Sequence, residues 1–421
     1  MTKLIQVFEH QNLRVGQQGF TAEMRKALEL HYGEGKPYYS LIHNGVRFNQ
    51  YVGVIQVDGV TIEVLPKIDK LQQSQDKGFW QKKLIDMLLV VSHFDAKISS
   101  TANLAIKSNA ILDAYFSLFI NEVENLLHKG LIKQYHKQQA NLATLKGKLN
   151  FSQHIRKNTV HQERFFVEYT VYDQHNIYNQ ILYKTIQLIN KLNHCPALAS
   201  RINRLLFNFP KMADLHVDSA TFERIVINRK NHHYQAALSI AELILLNYHP
   251  DITCGKRAVL ALMFDMNILW EKFVVSSLQR GKHSANFVVK QQSSKPFWQS
   301  QHLRADIVIS YCDHSFVLDT KWKCLDYHKP SSEDLRQLYT YHHYYQADKV
   351  ALVYPSCSFK DEITGRYKKV TDNEKDKTCS LLFLDLLAKN IDIQIWQRTI
   401  REKILKWIGF IEPANSINDN K

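Results

Sequence analysis

No long apolar run, no paired cysteines and no phosphate-binding glycine loop occur in this chain of 421 residues, and each absence removes a class of protein. The longest apolar run, Leu84–Val91, is too short to span a bilayer and contains Asp86. No apolar segment follows Thr2 and Lys3, so no secretory signal is expected. The six cysteines stand apart, at 195, 254, 312, 324, 357 and 379, with no CxxC pair. Neither a zinc ribbon nor a disulfide framework is therefore expected, and a reducing cytoplasm fits. Gly33-Glu34-Gly35-Lys36 runs into Pro37 and lacks the spacing of a GxxxxGK[ST] loop, so the chain is not expected to hydrolyse GTP or ATP itself. His232-His233 and His342-His343 are adjacent pairs, which do not share a helix face and do not suggest metal sites. There is no internal repeat and no long low-complexity segment.

What is present is a basic chain with enough apolar residues to build cores. The formal charge is +14, the pI is near 9.3, and 45% of residues are hydrophobic. That length predicts two or three domains. The charge points to a polyanionic partner, and with no basic amphipathic anchor a nucleic acid is favoured over a membrane.

The most informative stretch is Arg304–Lys323, RADIVISYCDHSFVLDTKWK. It reads as two strands rich in Val, Ile, Leu and Phe, joined by a tight polar turn. With Cys312 and Asp313 as the loop, Asp306 falls opposite Asp319, Cβ atoms about 4.5–5.5 Å apart. Lys321 then shares the face of Asp319, because side chains two apart on a strand point the same way. With Asp313 and His314 as the loop, Asp306 faces Lys321 instead. A three-residue loop breaks this parity unless a bulge restores it. Facing carboxylates raise each other's pKa, and a divalent cation removes that penalty. Mg²⁺ takes one or two carboxylates, waters and phosphate oxygens, and a lysine beside them can orient a water or hold a phosphate.

After Pro330, the segment SSEDLRQLYTYHHYY predicts a helix. Ser331 and Asp334 resemble a capping box with Asp in place of Glu. Asp334, Gln337 and Tyr341 fall on one stripe, which is too polar for a core face and suits a wall of a phosphodiester site.

Asp306, Asp319-Thr320-Lys321 and Gln337…Tyr341 together resemble the PD-(D/E)xK nuclease core in its RecB-like form, with the trailing QxxxY motif. Ala305 stands where the motif name has proline. The segment MFDMNILWEKFV predicts a preceding helix, with Leu262, Met266, Leu269 and Phe273 as its apolar stripe. Glu271 lies off that stripe, where such nucleases often carry an acidic residue near the metal. VFEHQNLRVG, YVGVIQVDGVTIEVLPKI (Tyr51–Ile68) and LKGKLNFSQHIRKN (Leu145–Asn158) resemble the McrC family, the nuclease subunit of McrBC modification-dependent restriction systems. With the nuclease motifs, these segments span about nine-tenths of the chain.

The expected fold is an α+β N-terminal region with a small β-sheet or barrel and helices, followed by a C-terminal α/β domain of the PD-(D/E)xK restriction-endonuclease type. Residues 1–160 are expected to form a partner-engaging domain, 161–254 a helical connection, 255–411 the nuclease domain and 412–421 a tail. Val54–Val64 predicts a hairpin turning at Asp58-Gly59, with Ile55, Val57, Val60 and Ile62 on one face and Gln56 and Thr61 on the other. Helices are expected over Lys82–Phe94, Asn109–His128, Tyr178–Leu192 and Ala236–Asn247. The basic segment Lys146–Asn158 reads as an exposed loop or strand end. Strands are expected at Phe287–Lys290, Lys349–Tyr354 and Ser380–Leu384, and the best domain boundary lies at His249-Pro250 to Lys256.

The function these expectations describe is a Mg²⁺-dependent (or Mn²⁺-dependent) DNA endonuclease subunit. The resemblance implies metal ligation by Asp306, Asp319 and the Thr320 carbonyl. It implies Lys321 on the water or transition state, and Gln337, Tyr341 and Glu271 as further site residues. It also implies a separate AAA+ GTPase, McrB, that reads the modified base, with Arg156, Lys157 and Asn158 as contact candidates. The alternatives are a stand-alone RecB-like repair nuclease and a catalytically inactive DNA-binding adaptor that activates a GTPase.

Overall fold

The structure, a computed structural model, describes residues 4–32, 38–57, 60–67, 77–91, 111–249, 259–280, 287–323, 325, 329–356, 362–369, 376–386 and 392–410. Two compact units divide the chain. One comprises Met1–Leu4, Gln56–Thr61 and Ser100–Leu262; the other comprises Ile5–Ile55, Ile62–Ser99 and Met263–Lys421. The expected boundary at Cys254-Gly255-Lys256 lies outside the described residues, as do the Asp58-Gly59 turn and the tail from 411.

In the first unit the core is helical. Ile111–Lys129 buries Phe116, Phe119, Ile120 and Val123 at helical spacing. It packs with Ile177–Leu192, Pro196–Asn208 and Gln235–Leu246. Three of these match expected helices to within two residues at each end. Asn179 ties them together. It accepts from the Tyr234 hydroxyl (2.9 Å) and donates to the carbonyls of Ile132 (3.1 Å) and Gln174 (2.8 Å), so a buried amide is fully used.

Beside these helices, Gln134–Leu142, Phe165–Asp173 and Lys148–Leu149 form an antiparallel sheet. Gly147 has φ +76, and a Cβ there would stand 2.4 Å from the Glu168 carbonyl, so only glycine fits. The expectation of a loop or strand end over the whole basic segment is corrected here, because Phe151–Asn158 is an α-helix. Asn150 caps it, its side chain accepting from Gln153 N.

Strands Leu4–Phe8, Val60–Leu65 and Tyr51–Val57 are neighbours in one sheet and lie mostly in the second unit, which also holds a small sheet of Asn12–Arg14, Gly45–Phe48 and Tyr39–Ile42. Gln56 and Thr61, expected on the face opposite the apolar set, are buried as well. Helix Lys77–Val91 starts five residues before the expected one, and 92–94 lie outside the described residues.

The main sheet has the order Phe287–Trp298, Gln301–Tyr311, His314–Thr320, Lys349–Ser356, Thr378–Asp385, Ile363–Arg366. The first three strands are antiparallel. His314–Thr320, Lys349–Ser356 and Thr378–Asp385 run parallel, with helix Ser332–Tyr344 as the first crossover. The fold is thus mixed α and β.

Met263–Asp265, expected as helix, end the strand Val259–Asp265. Asp265 then caps helix Met266–Gln279, its carboxylate accepting from Asn267 N and Ile268 N. Met266, Leu269 and Phe273 are buried as expected, but Leu262 belongs to the strand. No described helix is long and apolar enough to cross a membrane.

Candidate functional site

The hairpin register fixes the site. Tyr311 pairs with His314 and Ile307 with Leu318, so Cys312 and Asp313 are the two loop residues. Both have positive φ, +45 and +67, as a type I′ turn requires. Continuing this register places Asp306 across from Asp319, the first of the two alternatives. Thr320 N donates to Asp306 Oδ2 at 2.7 Å and the Thr320 hydroxyl to the same oxygen at 3.1 Å. The end of the second strand therefore holds the Asp306 carboxylate in place.

Asp319 is 1% exposed. Its Oδ2 lies 2.7 Å from the Lys321 ammonium, and its buried Oδ1 has no hydrogen-bond donor. Burial, and then the Asp306 charge, push its carboxyl up to about 7, against the pull of Lys321. Burial pulls the Lys321 ammonium down, but the Asp319 and Asp334 carboxylates outweigh it and hold the pKa above the ordinary lysine value. An orphaned carboxylate oxygen in a buried place is costly unless a cation or proton meets it.

The Ser332–Tyr344 helix lines the site with the stripe read from its sequence. Ser331 Oγ accepts from Asp334 N at 3.0 Å, which is half of a capping box. The Asp334 carboxylate turns to Lys323 (2.7 Å) and toward Lys321 (3.8 Å) instead of back to the cap. Burial raises the Asp334 pKa, but Lys323 and Ser331 more than offset this and hold it below the usual range. Gln337 Oε1 stands 3.5 Å from Lys321 Nζ, and its amide donates to the Tyr341 hydroxyl at 2.8 Å. That hydroxyl donates to the Arg304 carbonyl at 2.8 Å, two residues before Asp306. Gln337 and Tyr341 thus link the lysine to the strand that carries Asp306.

Glu271 is buried (6% exposed) rather than solvated. Gln291 Nε2 donates to its Oε1 (3.1 Å) and Gln292 Nε2 to its Oε2 (3.2 Å). Burial raises its pKa and the Asp306 charge adds to that, against the two amides. Neighbouring residues on a flat strand point to opposite faces. Gln292 has φ +47, and this kink in mid-strand brings both amides to one acid.

Sequence reasoning missed this glutamine pair and Lys323. It also missed Glu9, which is 2% exposed and accepts at one oxygen from Trp322 Nε1 (2.9 Å) and Lys67 N (2.7 Å). Burial pushes the Glu9 carboxyl up to about 7. The contact anchors the residue after Lys321. The only available signal was the position of Glu9 inside VFEHQNLRVG, which named no role.

Among the described residues no three His, Cys, Asp or Glu side chains stand close enough to enclose a metal ion by themselves. Asp306 and Asp319 are the residues that could hold one. They are hard oxygen donors suited to Mg²⁺ or Mn²⁺, and Mg²⁺ needs only one or two carboxylates.

In the other unit, Arg156 and Lys157 are exposed on helix Phe151–Asn158, beside exposed Phe151 (69%) and Ile155 (67%). Lys157 Nζ rests 4.4 Å from the Phe166 ring centre. Asn158 is buried. It exchanges two 2.8 Å hydrogen bonds with Asn141, and its amide meets His154 Nδ1 and the Arg164 carbonyl. The structure therefore separates Asn158, which holds the helix, from the two cations that the helix displays.

Residues 46–355 match the model of a family described as McrBC 5-methylcytosine restriction system component. A curated relative, the Type IV methyl-directed restriction enzyme EcoKMcrBC of Escherichia coli (strain K12), is 23% identical over 260 residues, 57% of this chain and 74% of the relative. Among solved structures, a chain in the refined half-complex from a tetradecameric assembly of Thermococcus gammatolerans McrB AAA+ hexamers with bound McrC superposes with a TM-score of 0.70. The match is 19% identical and covers 96% of this chain and 100% of that one. At that identity the likeness is one of fold.

Proposed function

Because this chain belongs to the family of McrBC 5-methylcytosine restriction system components, we propose that it is the metal-dependent DNA endonuclease subunit of such a system. The site is read as a PD-(D/E)xK nuclease core. The observation that carries this reading is Asp319, buried with an orphaned oxygen, across the hairpin from Asp306 and 2.7 Å from Lys321. Asp306 and Asp319 would hold a Mg²⁺ or Mn²⁺ ion, with Glu271 supporting the acidic end. Such an ion, when bound, supplies charge neutralisation at the phosphate and a more acidic water.

In the hydrolysis a water oxygen bonds to phosphorus, one ester oxygen leaves, and that oxygen gains a proton. Lys321 stabilises the negative charge that grows on the phosphate oxygens. Gln337 and Tyr341 fix the lysine relative to Asp306, and the Trp322–Glu9 bond fixes the residue next to it. Phosphate contacts carry no sequence information, so recognition of the modified cytosine is assigned to a partner.

That partner is proposed to be an AAA+ GTPase ring of the McrB type, since the similar solved chain comes from an assembly of McrB hexamers with bound McrC. The exposed Arg156, Lys157, Phe151 and Ile155 helix face is the proposed contact. The test is cleavage of methylated and unmethylated plasmid by this chain in Mg²⁺, with and without the McrB-type partner and GTP. Methylation-dependent cutting that needs both partner and GTP is expected. Cleavage that survives EDTA would overturn the metal dependence, and an inactive complex that still turns over GTP would overturn the nuclease assignment.

A further inference from the structure

Strands Phe287–Trp298 and Gln301–Tyr311 outrun the sheet they belong to. The second is paired to His314–Thr320 only from Ile307 onward, so residues 293–305 form a two-stranded ribbon that leaves the sheet at Asp306. A free ribbon of this kind is marginal in water. Here the Ser332–Tyr344 helix and Tyr345 brace it. The Tyr345 hydroxyl reaches the carbonyls of Ser293 (2.5 Å) and Leu303 (3.1 Å), and Lys295 Nζ donates to the Tyr344 carbonyl at 2.7 Å. The Gln292 kink redirects it. The pairing of the two strands passes from Gln291 and Ile307 to Ser293 and Ala305, skipping Gln292 and Asp306.

The ribbon's composition has one sign of charge. From 293 to 305 there are Lys295, His302 and Arg304 and no Asp or Glu, and Lys290 stands three residues before it. Its tip exposes two aromatic residues, Phe297 (48%) and Trp298 (59%). Phe297 is held against the Tyr344 ring, centroids 5.3 Å apart, and is the extra residue where the register slips between Pro296 and Trp298. A bulge of this kind re-aims the residue that follows it. Trp298 is left at the end of a braced, basic arm that begins at a candidate catalytic carboxylate.

We propose that this ribbon is a DNA-contacting arm, in which Arg304, and Lys290 at the ribbon's base, meet backbone phosphates and Trp298 packs on a base or sugar at the tip. The inference rests on the nuclease reading, and it names the substrate contact of that same site. A positive strand pair fits a DNA groove, and exposed aromatic rings stack on bases whatever their identity. Five residues separate Gln301 from Asp306, a reach of about 17 Å at roughly 3.4 Å per residue. That corresponds to about five base pairs beside the cut, at roughly 3.4 Å each.

The experiment uses the full chain with its McrB-type partner, and measures duplex binding by fluorescence anisotropy in Ca²⁺ and cleavage in Mg²⁺. Trp298→Ala is expected to weaken binding about tenfold, within the range that loss of one stacked base gives, at an unchanged melting temperature. Trp298→Phe restores most of the affinity. Cleavage at saturating DNA stays near wild type, so KM changes and kcat does not. Unchanged affinity in Trp298→Ala overturns the arm, even if wild type cleaves normally. A fall in partner GTP turnover at unchanged DNA affinity also overturns it, because the tip is then a protein contact. Trp298-dependent binding by a wild-type complex that never cleaves leaves the arm standing and removes the nuclease reading.

Discussion

The two regions with candidate functional side chains are built in opposite ways. Around Asp306 and Asp319 the charged groups are withdrawn from water and cross-bonded to one another: Asp319 is 1% exposed, Glu271 6% and Asp334 7%. On helix Phe151–Asn158 the charges and two large apolar side chains are exposed, and a single buried amide, Asn158, secures the helix. Buried charges hold one geometry at high cost, which suits bond breaking. An exposed apolar and basic face is open to a partner, and its contacts are made only on binding.

The contrast is broken most severely if Asp319 proves dispensable. Asp319→Ala is expected to reduce plasmid cleavage to background while raising or preserving the melting temperature in EDTA, because it deletes a buried, under-bonded carboxylate. Lys321→Ala should lower the single-turnover rate about 10²–10³-fold, the scale of removing one charge-stabilising group.

Metal affinity sharpens the same side of the comparison. The Asp319 carboxyl is pushed up to about 7, above its unfolded value, so the metal-free fold keeps its proton longer than the unfolded chain does. Stability in EDTA is therefore full below the ordinary carboxylate pKa and is lost as pH rises through about 7. A cation needs the ionised form. Below about pH 7, Mg²⁺ affinity should fall by up to tenfold per pH unit, with proton release on binding, and calorimetry at two pH values tests this.

On the exposed side, Arg156→Glu should lower partner GTP turnover about tenfold and leave stability within about 0.5 kcal/mol. Asn158→Ala should do the reverse at first order. It costs about 1–3 kcal/mol in chemical denaturation, because it leaves buried partners unpaired. If Arg156→Glu and Asn158→Ala affect turnover and stability equally, the division between display and support is wrong.

The smallest effect concerns the anchor at Glu9. Its carboxyl is raised to about 7, so Glu9→Gln should flatten the part of the pH–stability curve between about 4.5 and 7. Comparing it with wild type on an Asp319→Asn background removes the overlapping titration.

Much of the site was legible because it is local. Period-2 alternation and a two-residue turn limited the partner of Asp306 to Asp319 or Lys321, between which the register chose, and period 3.6 put Asp334, Gln337 and Tyr341 on one stripe. The basic segment was misread because Gly147 and Lys148 break the pattern and Arg156 and Lys157 follow, whereas Asn150 caps a helix that Asn158 pins to a sheet. Glu271 could be read as a solvated helix position because its glutamine partners lie 20 and 21 residues away on a kinked strand.

Sequence by itself limited which side chains can share a face, since backbone periodicity and turn geometry act over a few residues. It also gave the charge of +14 that points to a polyanionic partner. Tertiary structure alone decided which of those side chains leave water. Burial of Asp319, the two amides on Glu271 and the bond from Trp322 to Glu9, 313 residues away, depend on surfaces brought together by packing. Desolvation is a property of everything surrounding a group, and no local pattern encodes it.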